Sequence, residues 1–295
     1  MKLTKLGEKT FIIENSVNIG IYLLNDIDVC VIDTGSSIDY GKVIDNILLD
    51  HNWNLKYIIN THSHADHISG NKYLQDKYHC KILASKIESQ FINNPSLEPS
   101  LIYGAAPLKY LYNTRIYAPN SECENIEDYF INGIEIINLE GHMPGLIGVV
   151  TSDDVCFVGD AYMGIHIIEK YKIQYMFDIE KALNTMDYLN NTNYSYYVPS
   201  HGNIEKNIKN TILINKKTIL DNANNYFKII ENRILYDDLL KKVFDLYHIN
   251  INIMQYYLIS ANLKAHLTRF LNMGMIEFEF IDNKLYIKKI INENN

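Results

Sequence analysis

The heptapeptide Thr61-His62-Ser63-His64-Ala65-Asp66-His67 follows directly on the apolar run Tyr57-Ile58-Ile59, and it constrains the chain more than any other segment. Four side chains able to bind metal fall within six residues. Imidazole nitrogen and carboxylate oxygen suit zinc, and also iron or manganese. In an extended segment, side chains two apart point the same way, so His62 and His64 can grip one ion. Asp66 and His67 lie past the strand, where a turn brings them toward a second ion. The competing reading is a polar loop in which Asp66 merely caps a helix.

Further potential ligands recur in the same setting. Ile134–Leu139 runs into Glu140-Gly141-His142, Val155–Val158 into Gly159-Asp160, and Tyr196–Val198 through Pro199-Ser200 to His201. Each lies just past a short apolar strand, with Gly or Pro nearby to permit a sharp turn. Strand ends along one edge of an α/β sheet are where ligands and catalytic groups gather. Any one of these residues alone reads as a turn residue. Together they supply five His and two Asp, enough for a two-metal site with an open position for water.

This order of residues, over roughly residues 10–205, resembles the metallo-β-lactamase superfamily, whose HxHxDH motif is followed by a separate His, Asp and His. The resemblance implies an αββα sandwich, where periodicity alone gives only an α/β class. It implies that His62, His64 and His142 hold one divalent ion, that Asp66, His67 and His201 hold another, and that Asp160 bridges them. Zinc is the first choice, with iron or manganese as alternatives. The run Val29-Cys30-Val31-Ile32-Asp33-Thr34-Gly35 is similar to the family's strand ending in Asp-x-Gly. Asp33 would then orient a ligand without touching metal, although an Asp closing a turn before Gly35 fits equally.

The details select a branch. Asp160 stands where the antibiotic-degrading members usually carry Cys, and Cys156 lies four residues earlier, inside the strand. The pattern is closer to the glyoxalase II-like hydrolases. That resemblance implies a binuclear hydrolase using a metal-bridging hydroxide on a small thioester, ester or lactone. Asp160 would hold the ion pair and Asp66 would orient the nucleophile or pass a proton to the leaving group. The alternative is a phosphodiesterase, nuclease or DNA-binding regulator that relies on the C-terminal region.

Composition bounds the rest. No apolar run approaches the roughly 18 residues of a membrane span, and Met1–Asn18 lacks the apolar core of a leader peptide. The four widely spaced cysteines form no CxxC motif and read as reduced thiols in a cytoplasmic protein. A formal charge of −8 argues against broad attraction to nucleic acid or anionic lipid.

Strands are expected at Thr10–Glu14, Ile19–Leu24, Cys30–Ile32 and Lys81–Ala84, and helices at Asp39–Asp50 and His67–Lys77. Ser85–Asn125 holds four of the six prolines and reads as a long irregular segment. Its Tyr103, Gly104, Tyr110, Tyr112 and Arg115 could line the mouth of the cleft. Tyr162, Met163, His166, Tyr171 and Tyr175 could form the opposite wall, with His166 the best candidate among them to bind a substrate anion or donate a proton. The expected domains are a catalytic unit over 1–204, a helical connector over 205–234 and a smaller α-rich unit over 235–295. Three short helices (Asp237–Tyr247, Met254–Ser260, Ala261–Met273) and a hairpin around Asp282-Asn283 make the last unit winged-helix-like. A DNA-reading third helix would present Lys264, His266 and Arg269. From Leu235 onward, however, seven cations face seven anions, whereas phosphate binding needs a concentrated basic face. A dimer contact or a cover over the active site is the more economical role for this unit, and the expected partner is a small-molecule substrate.

Overall fold

The computed structural model describes residues 2–113 and 116–290. Short β-branched runs separated by tight turns begin an antiparallel sheet: β1 (Leu3–Lys5), β2 (Thr10–Ile13), β3 (Ile19–Leu23) and β4 (Asp28–Ile32). The turn into β4 is held by Asn25, whose side-chain oxygen accepts the amides of Ile27 and Asp28. Helix α1 (Ile38–Asp50) then carries the chain back, because parallel strands need a crossover. β5 (Asn54–Ile59) pairs parallel to β4. Helices α2 (Ala65–Ile68) and α3 (Asn71–Tyr78) lead to β6 (Lys81–Ala84). Helices α4 (Lys86–Asn93) and α5 (Leu97–Tyr103) lead to β7 (Cys123–Asn125), which completes a seven-stranded sheet in chain order.

A second sheet follows, with β8 (Ile134–Asn138), β9 (Ile147–Thr151) and β10 (Val155–Gly159) antiparallel in sequence. After α6 (Ile165–Lys170) and the crossover helix α7 (Ile179–Asn190), β11 (Tyr196–Pro199) adds parallel to β10. The two sheets face each other across Ile12, Ile32, Ile59, Val149, Phe157 and Val198. Ile44, Leu48 and Leu74 of α1 and α3 cover the outer face of the first sheet. Met186, Leu189 and Ile212, from α7 and the next helix, cover that of the second. This is the expected αββα sandwich. Each fully buried Ile or Leu contributes about 1.5–3 kcal/mol, so the alternating strand pattern decides which faces meet.

Three local expectations are corrected. The helix expected at His67–Lys77 is split into α2 and α3, because the His67 carbonyl accepts the amide and hydroxyl of Thr34 (2.7 and 3.2 Å) instead of the amide of Asn71. The segment expected to be irregular, Ser85–Asn125, contains α4 and α5. Ser85 caps α4 through its hydroxyl, which accepts the Glu88 amide. The two helices expected over Met254–Met273 are a single helix.

The C-terminal region begins with α8 (Lys209–Ile229). After β12 (Arg233–Leu235), α9 (Tyr236–Tyr247) and α10 (Ile253–Asn272), the hairpin β13 (Ile276–Ile281) and β14 (Lys284–Lys289) closes a three-stranded sheet of order β12-β14-β13. α8 belongs to two cores. Ile212 and Ile219 pack beneath the second sheet, whereas Ala223 and Tyr226 pack with Leu239, Leu263 and Phe270. His266 lies inside this last core, 1% exposed, with its ring 5.0 Å from that of Tyr226. Arg269 is paired with Glu180 of α7 at 2.8 Å, and Lys264 alone of the three expected DNA-facing residues is exposed without such an engagement. None of the described helices is long and apolar enough to cross a membrane.

Burial pulls the His266 pKa down to about 3, with Arg269 adding to the shift. The folded state therefore holds this imidazole neutral, while the unfolded chain takes up a proton near pH 6.5. Its contribution to stability is complete above pH 6.5 and is lost progressively as pH falls from there toward 3. Thermal unfolding followed from pH 7.5 to 4.5 should show a smaller acid loss of Tm in His266→Phe than in the parent chain. Equal losses would remove His266 as a source of acid sensitivity.

Candidate metal centre

Five strands end on the same edge of the sandwich, and each delivers part of one cluster. Asp33 follows β4, His62 to His67 follow β5, His142 follows β8, Asp160 follows β10 and His201 follows β11. At the end of β10, Gly159 has φ +58°, and a Cβ there would stand 2.9 Å from the Thr61 side chain. Glycine at this turn lets the Asp160 strand end close against the histidine loop.

The donor atoms converge in two groups, His62, His64, His142 and Asp160 in one, and Asp66, His67 and His201 in the other. In the first group, His64 Nδ1 lies 3.1 Å from His62 Nε2 and 2.9 Å from His142 Nε2. Tetrahedral ligands about 2.0–2.1 Å from a zinc ion stand about 3.3 Å apart, so this spacing is close to that of a loaded site. In the second, His201 Nε2 lies 3.1 Å from Asp66 Oδ2, and His67 Nε2 lies 3.8 Å from Asp66 Oδ1. Asp160 touches both groups. Its Oδ2 lies 3.9 Å from His62, 3.5 Å from His142 and 3.7 Å from His201, and its Oδ1 lies 3.6 Å from His67.

Each imidazole turns one nitrogen inward and has an outer neighbour for the other. His62 Nδ1 meets the Thr61 hydroxyl at 3.1 Å, and His67 Nδ1 meets Asp33 at 2.9 Å. His142 Nδ1 faces the Tyr175 carbonyl at 3.0 Å, and His201 Nδ1 the Ser16 carbonyl at 2.9 Å. His64 Nε2 points toward Glu98 of α5 at 3.7 Å. Such partners fix tautomer and ring orientation at metal sites. Two inward atoms, His67 Nε2 and Asp160 Oδ1, are buried with no hydrogen-bond partner among the described residues. Buried polar atoms are rarely left unpaired, and a cation between these two would satisfy both. The residues present fit a metal.

Charge divides the cluster. Burial, joined by neighbouring imidazoles, holds His62 well below the usual range and His64 down at about 3. Burial also lowers His142, against the pull of Asp160. In the other group, burial is outweighed. Asp160, Asp66 and Asp33 drive His67 upward, and Asp160 and Asp66 raise His201 to about 9. The same contacts hold Asp160, which is buried, and Asp66, which is partly so, below the carboxylate range. Three neutral imidazoles therefore stand ready for a cation, while the second group exchanges protons for one.

Comparison with known proteins fits this geometry. The family model described as the metallo-beta-lactamase superfamily matches residues 14–201, well over half of the chain. The chain belongs to the metallo-β-lactamase superfamily. A hydroxyacylglutathione hydrolase of Pelagibacter ubique is 44% identical over 57 residues, 19% of this chain and 22% of the relative. The hydroxyacylglutathione hydrolase GloC of Haemophilus influenzae is 27% identical over 108 residues, 36% of this chain and 50% of the relative. The chain thus spans half or less of the length of these two. Among solved structures, a metallo-beta-lactamase family protein from Thermus thermophilus superposes with TM-score 0.69 at 16% identity, covering 92% of this chain and 94% of that one. A beta-lactamase domain protein from Burkholderia ambifaria gives 0.70 at 14% identity, covering 98% and 94%. That coverage takes in the C-terminal region as well as the superfamily sandwich.

The superfamily sandwich brings all seven expected ligands together. The expected pocket residues fare differently. Tyr162 is fully buried in the core beneath the second sheet, so it lines no cleft. Tyr103 packs on Tyr257 of α10, ring centroids 5.0 Å apart. His166 is exposed on α6, two residues beyond Gly164, whose amide donates to the His201 carbonyl. Arg115 lies outside the described residues. Sequence reading missed the partners behind the ligands: Thr61, which precedes the motif by one residue, Glu98, and Asn215 of α8. Asn215 holds both the amide and carbonyl of Met163, three residues past Asp160, at 2.9 and 2.8 Å.

Asp33 accepts the Thr61 amide and hydroxyl, both at 2.8 Å, as well as facing His67. Asp33→Asn presents an amide to these donors and should weaken metal binding about 10–100-fold, measured by chelator competition. Unchanged affinity would leave Asp33 with only a turn-closing role.

Proposed function

We propose that this chain is a metal-dependent hydrolase with a two-ion centre, His62, His64 and His142 holding one ion, Asp66, His67 and His201 the other, and Asp160 shared. The observation that carries this reading is the convergence of seven donors from four strand ends, two of them buried and otherwise unpartnered. A donor set of imidazole and carboxylate without thiolate suits zinc first and accepts iron or manganese. Divalent ions bound there polarise an electrophilic oxygen and lower the pKa of water toward neutrality.

The chain's own residues supply the rest. Asp160 is buried and held ionised by His201 and His67, a fixed negative charge between the two groups. Asp66 is the most exposed of the ligand candidates, its side chain 34% exposed beside His201. It is placed to orient the attacking water and to carry its proton to the leaving group. No covalent intermediate is needed: the four cysteines are buried, and the Ser63 hydroxyl donates to a buried carboxylate.

The substrate we favour is a small thioester, ester or lactone. Two relatives named hydroxyacylglutathione hydrolase support a thioester. A cavity of about 520 Å³ between residues 170–175 and the segment joining α9 to α10 adjoins the centre through Tyr175. The Tyr175 ring lies 5.7 Å from that of His64 and 5.8 Å from that of His142. Lys170 and Lys172 at its rim, with Leu258 and Ile259 beneath, suit an acyl compound bearing an anionic group. The C-terminal unit, which we read as winged-helix-like, serves here as a wall. A role in gripping nucleic acid has less support, since His266 is buried and Arg269 is engaged by Glu180.

In His64→Ala and Asp160→Ala, metal content by elemental analysis and thioester hydrolysis should be lost together. A metal-free Asp160→Ala protein with full turnover would falsify the scheme. A panel of thioester, lactone, phosphodiester and β-lactam substrates tests the substrate class, and turnover of the phosphodiester alone would replace it.

A further inference from the structure

Glu88 sits in the first turn of α4, 0% exposed, and its carboxylate reaches away from its own helix. Oε2 accepts the Ser63 amide at 2.9 Å and the Ser63 hydroxyl at 2.6 Å. Oε1 accepts the Gly145 amide at 2.9 Å. Ser63 lies between His62 and His64, and Gly145 lies three residues past His142. One carboxylate therefore ties together the two loops that supply all three imidazoles of the first group.

The fit around it is tight. A Cβ on Gly145 would lie 2.1 Å from Ile87 and 2.4 Å from the Ser85 hydroxyl, so only the bare backbone brings that amide to Glu88. The two loops follow strands in different sheets, β5 and β8, and no strand pairing connects them. A buried carboxylate is costly unless its oxygens are filled, and here three donors fill them. Among the described residues, no other side chain from outside the two loops hydrogen-bonds to both. The loops otherwise meet through His64 and His142 themselves and through the Ile147 amide, which donates to the Thr61 carbonyl at 2.9 Å.

We infer that Glu88 is a positioning residue that locks the His62–His64 loop against the His142 loop, presetting the three-imidazole half of the centre before a cation arrives. This inference rests on the two-ion reading above. Glu88 touches no ligand atom and no substrate, and it acts by holding backbone. Loosening it widens the separation of His64 from His142 and leaves His67 and His201 on their own anchors, Asp33 and the Ser16 carbonyl, with Asp66 held against His201.

The test compares the parent chain with Glu88→Gln, which preserves volume but turns an amide group toward one of the backbone donors. Ser63→Ala, which removes only the hydroxyl contact, serves as the milder variant should the first fold poorly. Stepwise zinc affinities are measured by chelator competition, with His142→Ala and His201→Ala marking which step belongs to which group. Amide hydrogen exchange at Ser63 and Gly145 is measured on the metal-free proteins. The expected result is a loss of about 10–100-fold in the first-group affinity, little change in the second, and faster exchange at both amides. Equal affinities in parent and variant overturn the inference, as does an equal loss at both steps, which marks general loosening. A parent chain that takes up no zinc, iron or manganese overturns the two-ion reading itself, and this inference with it.

Discussion

The centre depends on a buried carboxylate that touches none of the donors' inward faces. Asp33, at the end of β4 with φ 59°, gathers the Thr61 amide, the Thr61 hydroxyl and His67 Nδ1. A left-handed backbone is uncommon for a residue other than glycine, and such a conformation persists where its surroundings hold it in place. Here it swings the carboxylate across to the neighbouring strand's loop. Without that anchor, the histidine loop would have the right residues and no reason to keep them aimed.

Around this anchor, the two halves of the centre are prepared in opposite ways. The His62–His64–His142 half is short of charge and relies on burial to keep its imidazoles neutral. The other half is rich in carboxylate and holds protons on His67 and His201 until something replaces them. Asp160 belongs to both and couples them electrostatically. The asymmetry arises because Asp33 and Asp66 stand beside His67 and His201 and Asp160 is shared, whereas Glu98, the carboxyl beside His64, is itself pushed well above the usual range by burial.

The ligands were legible because each follows an apolar run, and strand ends are visible as changes in hydrophobic period. The sandwich came with the family resemblance and is borne out by the sheet order. Features resting on long-range geometry were not legible. Tyr162 follows Asp160 by two residues and reads as a cleft wall, yet its ring turns into the core. Ser85-Lys86-Ile87-Glu88 has the form of a helix capping box, which hides the use of Glu88 elsewhere. The split of the helix after His67 depends on Thr34, thirty-three positions earlier, claiming a carbonyl. Four prolines made Ser85–Asn125 look irregular, but Pro99 lies in the first turn of α5, where its missing amide costs nothing.

α8 has a consequence for how the protein comes apart. Its first half is roofed by the second sheet, its second half is the floor of the C-terminal core, and Asn215 in the first half clasps the backbone beyond Asp160. A cut through this helix would open both cores, and loss of the last third of the chain would take with it the Asn215 clasp on the backbone behind Asp160.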